Sequence, residues 1–582
     1  MEPAQSGTYS LMSAPPQALR LPDALQVLRD RVAAAPLALG TAGREAAVRA
    51  ARSVVEQIDD YLLPRLRDLD APLLTVVGGS TGAGKSTLVN SLLGATVSPA
   101  GVLRPTTRAP VLVCAPADRA AFAGDRVLPG LARTTGANAG EVATSGLQLV
   151  VRDDLPPGLA LVDAPDVDSV VEANRALAGQ LLAAADLWIF VTTAARYADA
   201  VPWELLRTAQ ERGTALAVVL DRVPPEALHE VADDLAGMLS RAGLAASLFV
   251  VEERPLADGF LPEDQVGPLR SWLYGLAADQ EQRAAVIRQT LAGALDSLGG
   301  RVAGVADAVE EQTAAADALR SVADAAYTRA CTEVSEGVAS GSLLRGEVLD
   351  RWQEFVGTGE WMRSLQGQVG RLRDRAAAAL TGRPAPGAEV QGALESGVEL
   401  LMRAEADEAA ERTVTSWRTL PGGRELLEGR EAELDRASPG FAAATSGAVR
   451  DWQGDVLALV REQGADKRSR ARLLSWGVNG AGAAVMVGVF AQTGGLTGAE
   501  IAVAGGTTAV GQRVLEAVFG DVAVRDLAAR ARADLERRVD RLLRAERGRF
   551  DELLDPAAPR PGTADGLRAA AYDLTAARQE QR

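Results

Sequence analysis

The chain has 582 residues, a formal net charge of −16 and a pI near 4.9, a balance that argues against bulk nucleic-acid binding. Its two cysteines, Cys114 and Cys331, lie far apart, and His229 is the single histidine, so no Cys/His zinc site and no histidine-based triad is available. The length calls for two to four domains, and a composition dominated by Ala, Leu, Arg and Glu favours helices.

Residues 1–22 read as a flexible N-terminal tail, and Met1-Glu2-Pro3-Ala4-Gln5 lacks the features of a secretory signal. Residues 23–69 are expected to form N-terminal helices that join a helical bundle. Within them Val48, Ala51, Val55, Ile58 and Leu62 fall on one helical face, and Pro64 disrupts the pattern. The character changes over 70–275. Short β-rich runs recur at Leu73–Val77, Pro110–Cys114, Gln148–Arg152, Leu159–Asp163, Leu187–Thr192, Ala215–Leu220 and Ser247–Val251. Several are apolar throughout, as parallel strands covered on both faces should be, which predicts an α/β domain with a mainly parallel sheet.

Residues 276–470 return to helical periodicity as a bundle or stalk. In it Trp352, Trp361, Trp417 and Trp452 are expected to be packing anchors. Residues 471–520 hold two nearly uncharged stretches around the turn Gln492-Thr493-Gly494-Gly495, preceded by the basic cluster Lys467-Arg468-Ser469-Arg470-Ala471-Arg472. A basic cluster beside an apolar hairpin suits anionic headgroups, so 467–513 is expected to contact membrane lipid. A buried Gly/Ala-rich helical pair is the alternative. Residues 521–582 read as a returning helix, with Val524, Ala528, Ala531, Leu535, Val539 and Leu542 in one stripe, and then a Pro-containing tail.

The stretch Gly79-Ser80-Thr81-Gly82-Ala83-Gly84-Lys85-Ser86 carries the most chemistry. It fits G-x-x-x-x-G-K-[ST] and lies between a predicted strand and a predicted helix, the context in which backbone N–H groups cradle phosphates. Of 61 basic residues only Lys85 and Lys467 are lysine. The motif needs a compact ammonium reaching the β- and γ-phosphates, a task that a planar guanidinium does not serve. The hydroxyl of Ser86 is then the Mg²⁺ ligand.

The run from Val76 to Asn90 resembles the phosphate loops of translation-factor-class and dynamin-like GTPases. The resemblance implies a P-loop GTPase domain that binds Mg²⁺ and GTP. Gly79, Ser80, Thr81, Gly82, Ala83, Gly84, Lys85, Ser86 and Thr87 would contact the nucleotide. Leu103-Arg104-Pro105-Thr106-Thr107-Arg108-Ala109-Pro110 is similar to switch I of dynamin-like GTPases and puts Thr107 on Mg²⁺ and the γ-phosphate, with Thr106 as the near alternative. The apolar run ending Val162-Asp163-Ala164-Pro165-Asp166 supplies Asp163 as the second support for Mg²⁺. Lys85, Thr107 and Asp163 form the implied catalytic set.

The chain also departs from the family pattern. Asp166 stands where D-x-P-G has glycine, adding a like charge near the phosphates. The base-reading motif N-K-x-D is replaced by Asp221-Arg222-Val223-Pro224, which lacks the terminal carboxylate that pairs with guanine. Asp221 could accept hydrogen bonds from the base and Arg222 could stack on it; GTP is expected, with ATP or relaxed specificity as the alternative. Thr81 and Gly82 occupy the positions of a dynamin Gln and Ser, so hydrolysis is expected to be slow. Arg196 is a surface arginine or an arginine finger. The order of GTPase domain, helical bundle and apolar hairpin resembles bacterial dynamin-like proteins. It implies a homo-oligomer or paired GTPase in the cytoplasm at the inner face of the cell membrane, coupling nucleotide state to stalk motion. A soluble switch acting on a protein partner and a nucleotide-binding scaffold remain the alternatives.

Overall fold

The computed structural model describes residues 20–99, 109–124, 127–128, 131–135, 146–166, 172–339, 386–463 and 521–580. Two compact units emerge. One comprises residues up to 35, 45–310 and from 560 onward, and the other 36–44 and 311–559.

The first unit is built on one eight-stranded sheet. Its strands are β1 (Leu73–Gly79), β2 (Val111–Cys114), β3 (Ala132–Thr135), β4 (Gly146–Val151), β5 (Leu159–Asp163), β6 (Leu187–Thr193), β7 (Ala215–Val223) and β8 (Ala246–Glu252), in the order β3-β4-β2-β5-β1-β6-β7-β8. Every neighbouring pair is parallel except β2 with β5. The central strands are apolar throughout because both faces are covered. Leu74, Val76, Val162, Trp188 and Val218 fill one core layer, while Leu73, Val77, Leu161, Ile189 and Val219 fill the other. The seven predicted strands are present. β3 is additional, and its sequence Ala132-Arg133-Thr134-Thr135 carries no apolar run that would announce it.

The helical pattern is disrupted beside Pro64, but the chain stays helical. The helix Arg44–Gln57 runs into a single π-helical turn, Ile58–Leu62, and restarts as Leu63–Arg67. Pro64 falls in the first turn of the restart, where a missing N–H is tolerated. The restart delivers Arg65 to the sheet. Its Nε donates to Asp186 Oδ1 at 3.0 Å, and further guanidinium N–H groups reach the Ala71 and Pro72 carbonyls. Asp186, fully buried just before β6, also accepts from the Leu74 N–H at 2.8 Å. These contacts group the 45–67 helices with the sheet, whereas the sequence had grouped them with the bundle.

The unit closes with an unexpected helix. Residues 563–580, anticipated as part of a Pro-containing tail, form the helix Thr563–Glu580, which packs on Leu21–Ala33. Leu567, Ala570, Leu574 and Ala577 recur at helical spacing and are buried, so the three prolines at 556–561 punctuate the chain before a helix and do not begin a tail.

The second unit is helical. It contains residues 311–339 of the helix Gln280–Ala339, together with Pro386–Trp417, Phe441–Gln463 and Asp521–Leu554. Trp417 is wholly buried, donates its indole N–H to the Leu319 carbonyl at 3.0 Å and meets Phe550 edge-on at 5.3 Å. Trp452 donates to the Ala531 carbonyl at 2.7 Å. The stripe on Asp521–Leu554 is buried at Ala528, Ala531, Leu535 and Val539, and Leu543 rather than Leu542 continues it. Trp352, Trp361 and the expected apolar hairpin of 471–520 lie outside the described residues. No described helix is long and apolar enough to cross a membrane.

Candidate nucleotide site

The site is assembled at the carboxyl ends of β1, β5 and β7, the edge where open α/β sheets place ligands. β1 ends at Gly79 and the chain turns through Ser80–Gly84 into the helix Lys85–Leu93. Gly79, Gly82 and Gly84 all have positive φ, at 150°, 75° and 91°. Two of these glycines are also forced by space. A side chain on Gly79 would drive into the Val191 carbonyl of β6, and one on Gly84 would sit 2.5 Å from Asp221 Oδ2. The loop is therefore wedged between its neighbouring strands, with Ala83 and Lys85 buried in it and Ser86 and Thr87 half-buried.

Lys85 is folded back over this loop. Its ammonium donates to the Ser80 carbonyl at 2.9 Å and pairs with Asp166 Oδ1 at 2.5 Å. Ser86 Oγ donates to Asp163 Oδ2 at 2.6 Å. The same carboxylate oxygen accepts from Ser98 Oγ at 2.5 Å. Ser98 is held there by Asn90, whose Oδ1 accepts the Val97 and Ser98 N–H groups and whose Nδ2 donates to the Ser98 carbonyl. Sequence reasoning missed Ser98 and Asn90. Asn90, in the helix that follows the loop, was the available signal, whereas Ser98 looked like an ordinary loop serine.

Asp163 is wholly buried, and desolvation pushes its pKa up, partly offset by the hydroxyls of Ser86 and Ser98 and by the charge of Lys85. Among the described residues its Oδ1 has no hydrogen-bond partner, and neither has the buried Ser80 Oγ. An orphaned carboxylate oxygen beside a serine hydroxyl is a hard-oxygen donor set that fits Mg²⁺. That ion is commonly held by one or two carboxylates together with water and substrate phosphates. Among the described residues no cluster of three His, Cys, Asp or Glu forms, so a metal here would depend on phosphate oxygens for the rest of its shell.

β7 brings the third part. Asp221 is buried at its end, and burial raises its pKa to about 6. Its Oδ1 accepts the Arg222 N–H at 2.9 Å, while Oδ2 faces Gly84. Arg222 is in the left-handed region, φ 56°, at a register shift between β7 and β8, and its side chain is half exposed. Arg196 reaches the loop as well, donating to the Thr81 carbonyl at 3.2 Å while pairing with Asp199. The structure thus gathers Gly79–Thr87, Asp163, Asp221 and Arg222 at one edge. Thr107 and Thr106 lie outside the described residues.

A mainly parallel sheet with β2 antiparallel to β5, a phosphate loop after β1 and a carboxylate ending β5 define the P-loop GTPase class of α/β domain, here accompanied by a long helical region. No family model matches the chain, and no curated protein does. Among solved structures the neighbours include bacterial dynamins. One is an oligomerised bacterial dynamin pair described as providing a mechanism for long-range sensing and tethering of membranes. It is 10% identical, with 97% of this chain and 96% of that one covered at a TM-score of 0.43. Another is LeoA, a bacterial dynamin GTPase from ETEC, 11% identical over 92% of this chain and 98% of that one at a TM-score of 0.24. Era in complex with MgGDPNP and 16S ribosomal RNA is 18% identical over 35% of this chain and 57% of that one, at a TM-score of 0.23. With TM-scores below 0.5, the class stands on the strand order and the loop.

Proposed function

We propose that this chain is a Mg²⁺-dependent, dynamin-like GTP-binding protein that hydrolyses its nucleotide slowly and uses the change of state at a membrane. The observation that carries the nucleotide reading is the placement of Ser86 Oγ 2.6 Å from Asp163, whose second oxygen is buried and without a partner among the described residues, beside the ammonium of Lys85. In this reading the loop N–H groups over Ala83–Thr87 hold the phosphates and Lys85 binds the β- and γ-oxygens. Ser86 and Asp163 hold Mg²⁺, which when bound neutralises charge on those oxygens. Thr107 would complete the metal set, and Asp221 and Arg222 would face the base. The same surface would pair with a second copy of the chain, and residues 467–513 would contact lipid.

A relaxed base preference is the second reading. It is favoured by Pro224 at the position of the guanine-pairing carboxylate and by Asp221 being turned against Gly84. Direct binding of labelled GTP and ATP to the full chain decides between these readings. Micromolar GTP binding that is lost in Lys85→Ala supports the proposal, and equal GTP and ATP affinities support the second reading. No binding of either nucleotide would remove both. Turnover below about 0.01 per minute at high protein concentration would replace the switch enzyme by a scaffold. Absence of co-sedimentation with anionic liposomes would remove the membrane part alone.

A further inference from the structure

Asp166 is the residue whose position the nucleotide reading leaves unexplained. It follows β5 by three residues and stands where the related phosphate-binding turn has glycine. Its carboxylate meets the ammonium of Lys85 at 2.5 Å. The pair is poorly solvated, with Lys85 5% and Asp166 20% exposed, so the attraction is only partly screened. Lys85 is bracketed by the Ser80 carbonyl on the loop side and by Asp166 on the β5 side. Asp166 also lies near enough to Asp163 to oppose its ionisation. Lys85, Asp163 and Asp166 together carry a formal charge of −1 before any phosphate arrives; a glycine at 166 would make that set neutral.

We infer that Asp166 is a specificity-determining residue whose carboxylate occupies the terminal-phosphate position on Lys85 and biases the site toward nucleoside diphosphates over triphosphates. This rests on the nucleotide reading above. The β-phosphate of a diphosphate also meets Lys85, but its main hold is the set of loop N–H groups at the start of the helix Lys85–Leu93, and those groups need displace no carboxylate. A γ-phosphate must share Lys85 with Asp166 or expel it, and it brings further negative charge against both Asp163 and Asp166. The penalty therefore falls more heavily on the triphosphate. The neighbouring arginines do not remove it, because Arg196 is paired with Asp199 and Arg222 is half exposed.

The test is calorimetric titration of the full chain with Mg²⁺–GDP and Mg²⁺–GMPPNP, repeated with the adenosine pair, for the natural protein, Asp166→Asn, Asp166→Gly and Lys85→Ala. Asp166→Asn removes the charge while keeping the shape and backbone, so its result does not depend on a glycine being tolerated. The expected result is a triphosphate-to-diphosphate affinity ratio raised about tenfold or more in both Asp166 variants, mostly through tighter triphosphate binding. A ratio changed by less than about twofold, with diphosphate still bound, overturns the inference and leaves the nucleotide reading intact. No nucleotide binding by any of the four proteins overturns both.

Discussion

The two units of the molecule treat charge in opposite ways. In the sheet unit Asp60, Arg65, Lys85, Asp163, Asp186 and Asp221 are all buried; among the described residues of the helical unit only Glu546 is. The helical unit is held by alanines, leucines and a few aromatic anchors. Many of its ion pairs lie on exposed helix faces, as Asp526 and Arg530 do at 2.8 Å, and Glu546 is paired with Arg549. Location then separates two kinds of buried charge in the sheet unit. Lys85, Asp163 and Asp221 cluster at the carboxyl edge of the strands, where they form the candidate site. Asp186 precedes β6 at the opposite edge and is saturated by Arg65 and the Leu74 N–H. A buried charge with all its bonds made belongs to the scaffold, and one with an orphaned oxygen, such as Asp163, belongs to chemistry.

That contrast can be broken most directly at Arg65. Arg65→Ala leaves Asp186 buried and unpaired and should cost about 3–5 kcal/mol in chemical denaturation, whereas Arg65→Met with Asp186→Leu should recover most of it. A loss under about 1 kcal/mol for the single change would mean that the pair is not structural. In the helical unit the comparable loss should come from an apolar residue. Trp417→Ala removes a wholly buried indole and its bond to Leu319, and should destabilise by about 3–4 kcal/mol with little change in nucleotide affinity.

Asp221 lies between these extremes. Its folded pKa, about 6, is above its ordinary value of 3.8, so the folded state favours the protonated form. Its contribution is unaffected below about pH 4, falls as pH rises toward 6 and stays reduced above that. Asp221→Asn should therefore raise stability at pH 7.5 by about 2 kcal/mol and by much less at pH 4. An equal gain at both values would sink the titration argument. The smallest effect belongs to the exposed pair on the helical surface: Asp526→Ala should cost no more than about 0.5 kcal/mol, and that only at low salt.

What was legible in the sequence was whatever is contiguous. The phosphate loop occupies a few adjacent residues, and the central apolar strands announce themselves because they are buried on both faces. Contacts formed by distant segments were not legible. Arg65 and Asp186 stand 121 positions apart, and Ser98 reaches Asp163 from 65 positions away. Pro64 marked the disruption but not its form, a π-turn that shifts the helix register just before it. The residues of β3 are recruited by pairing with β4 rather than by their own apolarity. Asp166 was legible as a departure but not as a partner of Lys85, because nothing in the spacing fixes where its carboxylate points.

The helix Thr563–Glu580 belongs to the sheet unit although the whole of 311–559 is synthesised before it. On a ribosome, the strands and the phosphate loop emerge early, while the surface of Leu21–Ala33 that the last helix covers stays bare until the helical unit has been translated. At about 5–20 residues per second that interval is roughly 10–50 s. The nascent sheet unit is therefore left with an open seam throughout that time, a window in which a chaperone or a neighbouring nascent chain can occupy the place of the final helix.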